Sequence, residues 1–290
     1  MMKRNEESLG GVSSRHSRSA FTLTELLVVI GVMGMLASLQ LAALTCNRTQ
    51  GQVMTCRYNL GQLTRAWLMY AEDNAGWFPP NEDNGFTRGW VRGTLSMNAN
   101  NSDNTNQINL TDARYAVMAP YAGRSASLYR CPADSSVARE GANLIPRVRS
   151  IAMNVAIGSK TYTKEPTDGL WLDGTHMHTY GKAWRTYGTV SSLVSPRPEN
   201  LFLLIDEDEY SINEGVFAMS MLTCPQEIID WPAMWHEMAA GISFADGHVE
   251  THRWLDPRMK VVNGNVSRKV LTPLSADMIW LQSKTSALIR

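Results

Sequence analysis

Apolar residues run from position 21 to 44 with a single charge among them, Glu25, near the head of the run. Twenty-four helical residues at ~1.5 Å each give ~36 Å, enough to cross a hydrocarbon core of ~30 Å, so the pattern predicts a membrane span. Beyond Leu44 the periodicity changes. Val53, Cys56, Leu60, Leu63, Trp67 and Tyr70 recur every three or four residues and draw one apolar stripe, with Arg57, Asn59, Gln62, Arg65 and Asp73 filling the other side. Gly76, followed by Trp77, Phe78 and two prolines, is the stop signal. The pattern therefore predicts one long helix over residues 21–74, with Gly51 the place for a bend.

Strand signals after that are short: residues 89–95, 200–205 and 241–245. Residues 97–109 hold six Asn and little apolar matter, which reads as an exposed loop. Thr111 and Asp112 are placed to cap a short helix through Ala119, and Ser275 to cap another through Leu281. In residues 244–250 the Asp246-Gly247 pair is a hairpin signal of the type I′ kind.

Charge sets the orientation. Residues 1–20 hold four of the 27 basic and two of the 27 acidic residues, leaving 23 and 25 and a net charge of −2 for the rest. Basic residues ahead of a span stay cytoplasmic, so the bulk of the chain is expected outside the inner membrane. A balance this close to zero gives no bulk attraction to nucleic acid. Of the four cysteines, Cys46 and Cys56 stand ten residues, ~15 Å, apart on one helix, too far to bridge at a Cα limit of ~7 Å. Cys131 and Cys224 are the candidate disulfide, with two free buried thiols as the alternative.

A carboxylate in an apolar helix costs ~2.5–3.5 kcal/mol unless it has a partner. A cut between Ala20 and Phe21 would create an α-amino group about one turn from Glu25. Here the segment Phe-Thr-Leu-Thr-Glu-Leu-Leu-Val-Val-Ile resembles the start of type IV pilins and type II secretion pseudopilins. The resemblance implies cleavage before Phe21 by a prepilin peptidase, N-methylation of Phe21, and Glu25 in the role of the assembly carboxylate. Family members usually have Gly before the cut, where this chain has Ala20. An ordinary signal peptide, a lipoprotein signal at Cys46 and an uncleaved anchor are the competing readings of the run.

His236, nine intervening residues, then Asp246-Gly247 resembles the H-x(9)-D-G signature of a subgroup of pilin-like proteins, as do residues 70–74, 78–80, 129–134 and 195–200. Residues 237–240, Glu-Met-Ala-Ala, depart from relatives that often carry Gly and Asn there. Physically, a hydrogen bond from His236 to Asp246 would pin the last hairpin. A metal site of His236, Asp246 and His248 is the less favoured reading. Asp206-Glu207-Asp208-Glu209 offers oxygen ligands suited to calcium, but without an alternating ligand pattern a solvated acidic turn is favoured. His176 and His178 read as surface residues. Trp77, Trp90, Trp171 and Trp184 are candidate stacking platforms for sugars, or core residues. No nucleophile or phosphate-binding motif is evident.

Taken together, the resemblance implies an α+β fold in which a long N-terminal transmembrane helix packs on an antiparallel sheet. The expected organisation is a leader over residues 1–20, the helix over 21–74 with its span at about 21–44, and an outer domain over 75–290 with the signature at 236–247. The expected function is structural rather than enzymatic: a subunit polymerising with itself or other pseudopilins, in contact with the membrane and a secretion or pilus machinery, without an obligatory cofactor. An anchored module binding glycans or another envelope component is the alternative, and an anchored metal-dependent enzyme a third.

Overall fold

The computed structural model describes the backbone of residues 22–289, and the side chains of these except 37–48. Ala20 and Phe21, at the expected cleavage point, lie outside the described residues. Two compact units, residues 1–47 and 48–290, are considered separately.

Helix α1, Leu23–Asp73, is helical without interruption through Gly51. Its start is capped by its own sequence: the Glu25 amide donates to the Thr22 hydroxyl at 3.3 Å, while the Thr22 amide donates to Glu25 Oε2 at 2.8 Å. This is a reciprocal capping box. Its end closes where Ala75 and Gly76 turn left-handed and the Gly76 amide reaches back to the Ala71 carbonyl at 2.8 Å.

The expected membrane span requires correction. Among the described residues no helix is long and apolar enough to cross a membrane. The polar residues Thr22, Thr24 and Glu25 interrupt the apolar character at the start of α1.

In the second unit the chain continues through the one-turn helix α2 (Ile108–Thr111) and a small hairpin of β1 (Val137–Glu140) and β2 (Asn143–Pro146). The central sheet is built from β3 (Ile151–Asn154), β4 (Phe202–Asp206), β5 (Val216–Phe217), β7 (Ala239–Phe244) and β8 (Val249–Arg253) in the order β5-β3-β4-β7-β8. A short pair, β6 (Glu227–Ile228) with β9 (Lys269–Val270), and helix α3 (Ala276–Thr285) complete it. The sheet is mixed rather than antiparallel, because β5 joins β3 in parallel. The fold is α+β, with that correction and the one above.

Strands β3, β4 and β7 are buried along their whole length, as their mostly apolar sequences require, with Asn154, Asp206 and Ser243 the buried polar exceptions. The stripe of α1 lies on this sheet: Cys56, Leu60, Leu63 and Trp67 are all buried, and Trp67 stacks on Phe78 at 4.1 Å. Gly241 of β7 permits the contact. A Cβ there would stand 2.7 Å from Leu60 Cδ1, 2.8 Å from Cys56 Sγ and 2.9 Å from Asp206 Oδ2.

Other expectations change. Residues 89–95 form no strand; Trp90 is instead buried with its indole N–H donating to the Gly215 carbonyl at 3.1 Å. The loop at 97–109 is partly internal, with Asn104 and Asn109 buried, and α2 ends at Thr111, where a helix had been expected to begin. The β7–β8 turn holds φ > 0 at Gly247 but not at Asp246, and the Phe244 amide donates to the His248 carbonyl at 3.0 Å. That is a three-residue loop with Gly in the bulge position, not a type I′ turn.

Candidate functional site

The signature residues occupy opposite ends of one strand. His236 lies just before β7 and Asp246-Gly247 just after it. Six strand residues at ~3.3 Å separate them by ~20 Å, so the expected hydrogen bond between His236 and Asp246 is not formed. Asp246 Oδ1 pairs instead with His248 Nδ1 at 2.6 Å, and the His248 ring stacks on Phe244 at 4.2 Å.

His236 turns to another partner. Its Nε2 stands 3.1 Å from Cys131 Sγ, while Cys56 Sγ donates to Asp206 Oδ2 at 2.8 Å. All four residues are buried, and one ligand-type atom from each lies within 4.8 Å of every other, a set able to hold a metal ion. Each comes from a separate element. Cys56 is on the buried stripe of α1. Cys131 follows the short turn of residues 126–129, its amide held by Ser150 Oγ at 2.8 Å. Asp206 ends β4, and the Gly241 amide of β7 donates to its Oδ2 at 3.0 Å. His236 is presented by a bend in which Glu237 and Met238 both take left-handed φ, 56° and 66°. Gly or Asn at such positions would adopt it with less strain.

Burial governs the ionisation of Asp206 and His236. Burial pushes the Asp206 carboxyl up to about 7 and lowers His236, so the imidazole is neutral at pH 7. The Cys56 thiol is raised well above its usual range by the adjoining Cys131 first, then by burial and by Asp206. Asp206 Oδ1 and His236 Nδ1 are buried with no hydrogen-bond partner among the described residues.

Cys131 and Cys224 are both free, the first buried in this cluster and the second exposed, so the expected disulfide is not formed. Asp206, Glu207 and Asp208 are buried rather than forming a solvated turn. Arg149 favours the charged form of Glu207 and Arg147 that of Asp208; both arginines are buried, and their guanidinium groups donate to the carbonyls of Glu209 and Glu214 at 2.6 Å. His178 is buried against the Asp168 carbonyl, while His176 is exposed beside Asp83 as expected. Of the candidate stacking tryptophans, Trp90 is a core residue and Trp77, Trp171 and Trp184 are half-buried.

At the start of α1 a different kind of site appears. Leu23 is 77% exposed and Leu26 56%, and Leu27, Val28, Val29 and Ile30 are exposed as well. Glu25 stands among them with its carboxylate engaged by the Thr22 amide and hydroxyl.

No family model matches the chain, and comparison with curated proteins and with solved structures gives no match.

Proposed function

We propose that this chain is a prepilin-type structural subunit, cut before Phe21 by a prepilin peptidase and polymerising through the first turns of α1. Its partners are copies of itself or related subunits in a type II secretion pseudopilus or a type IV pilus-like fibre.

The observation that carries the reading is the exposed apolar surface of α1 from Leu23 to Ile30. Fully burying each Leu, Val or Ile stabilises by about 1.5–3 kcal/mol, so an uncovered run of such residues gains from association with an equivalent run on a neighbour. Glu25 is held by Thr22 within its own helix, which makes the carboxylate tolerable until a neighbour's α-amino group comes within reach.

Mass spectrometry of fibres sheared from the cells that make the protein tests this. The expected N-terminus is Phe21, N-methylated. An assembled chain that retained Met1, or one that began after Thr45, would contradict the proposal.

A further inference from the structure

Cys56, Cys131, Asp206 and His236 converge from α1, the segment before β1, the end of β4 and the approach to β7, and their ligand-type atoms lie within 4.8 Å of one another. In a tetrahedral zinc site, bonds of ~2.3 Å to sulfur and ~2.0–2.1 Å to nitrogen and oxygen set neighbouring donors roughly 3.5 Å apart. The closest pairs here, 2.8 Å between Cys56 Sγ and Asp206 Oδ2 and 3.1 Å between Cys131 Sγ and His236 Nε2, reach that spacing by a small widening of side chains.

Donor chemistry selects the ion. Two sulfurs with one imidazole suit zinc and its soft neighbours, whereas calcium and magnesium take oxygen. The site also has unmet needs: Asp206 Oδ1 and His236 Nδ1 are buried without partners. Among the described residues Asp206 forms no ion pair with Lys or Arg. A buried carboxylate oxygen lacking any donor is costly, and a cation satisfies it.

We propose that Cys56, Cys131, Asp206 and His236 form a closed, four-coordinate site for zinc, which fastens α1 to the central sheet. Burial of all four ligands leaves no open position for a substrate, so the role is structural. On loading, the thiol protons of Cys56 and Cys131 leave to solvent and two metal–sulfur bonds replace them; no electron changes hands. The left-handed residues Glu237 and Met238 aim the imidazole, a strain that a metal bond would hold in place. The inference stands apart from the assembly reading, since it concerns how the helix is attached to its domain and not what the helix start binds.

The test is elemental analysis of the full chain, purified in mild detergent without chelator. Stoichiometric zinc is expected in the wild type and in Cys224→Ser and Asp246→Asn, with loss of the metal in Cys131→Ser and His236→Gln. Because those two variants can fail for lack of folding, the wild type is also exchanged with cobalt. A thiolate-to-cobalt charge-transfer band with tetrahedral d–d transitions is expected. Metal-free wild-type protein, a cobalt spectrum without the thiolate band, or a Cys56–Cys131 disulfide found by mass spectrometry of the unfolded chain would overturn the proposal.

Discussion

At the scale of single residues, Gly241 decides how close α1 comes to the sheet. The missing Cβ leaves room for Leu60, Cys56 and Asp206, all under 3 Å from where it would stand, and the Gly241 amide steadies Asp206. Overpacking of this kind costs about 1–3 kcal/mol. Gly241→Ala is therefore expected to lower the stability of the full chain by that amount in denaturant unfolding, whereas Gly123→Ala, with open space at its Cβ but a φ of 62°, should lose less. Equal losses would mean that the contact between α1 and β7 is looser than described. Glu25 is the other decisive residue, and its local role was legible in the sequence. Thr22-Leu23-Thr24-Glu25 carries the T-x-x-E spacing of a capping box, set within the apolar run around it.

At the scale of elements, β4 runs directly into the acidic segment that the loop after β6 covers: the Asp208 amide donates to the Trp231 carbonyl at 2.9 Å. Burial raises Asp208 to about 6 and Asp230 to about 8, and holds Glu207 well above its usual range. Each of these binds a proton in the fold that it has already lost in the unfolded chain, over the interval from its ordinary value near 4 up to its raised one. Stability through these groups thus falls as pH rises from about 4 to about 8. His252, lowered by burial, acts in the opposite sense below its ordinary value of 6.5. Thermal melts should show a net decline between pH 5 and 8, flattened in Asp230→Asn. A melting temperature that rose across that window would refute the assignment. Legibility differed between elements for physical reasons. The α1 stripe, β4 and β7 showed plainly because their apolar patterns match their burial. The segment around Trp90 carries the same β-prone residues but is held by single contacts to Gly215 and Pro80, so it packs as a loop. The signature spacing turned out to measure the length of β7, with two different sites at its ends.

At the scale of the whole molecule, the buried cluster was invisible in the sequence because its four donors are far apart along the chain, and only the meeting of α1, β4 and the β7 approach brings them together. The same holds for Arg147 and Arg149: nothing local shows that a basic pair will be buried to serve backbone carbonyls of the segment 209–214. The assembly account rests on the opposite situation, a local pattern that stays uncovered. If the first turns of α1 are the polymerising surface, that surface meets its own kind. The most direct measurement places a photo-crosslinking amino acid at Val29 of the full chain, in the cells that make it, and as a control at the exposed Tyr162. The account predicts a ladder of dimers and higher multimers from position 29, each joined at that residue, and little from position 162. Monomer alone from position 29, or adducts only to unrelated molecules, would contradict it.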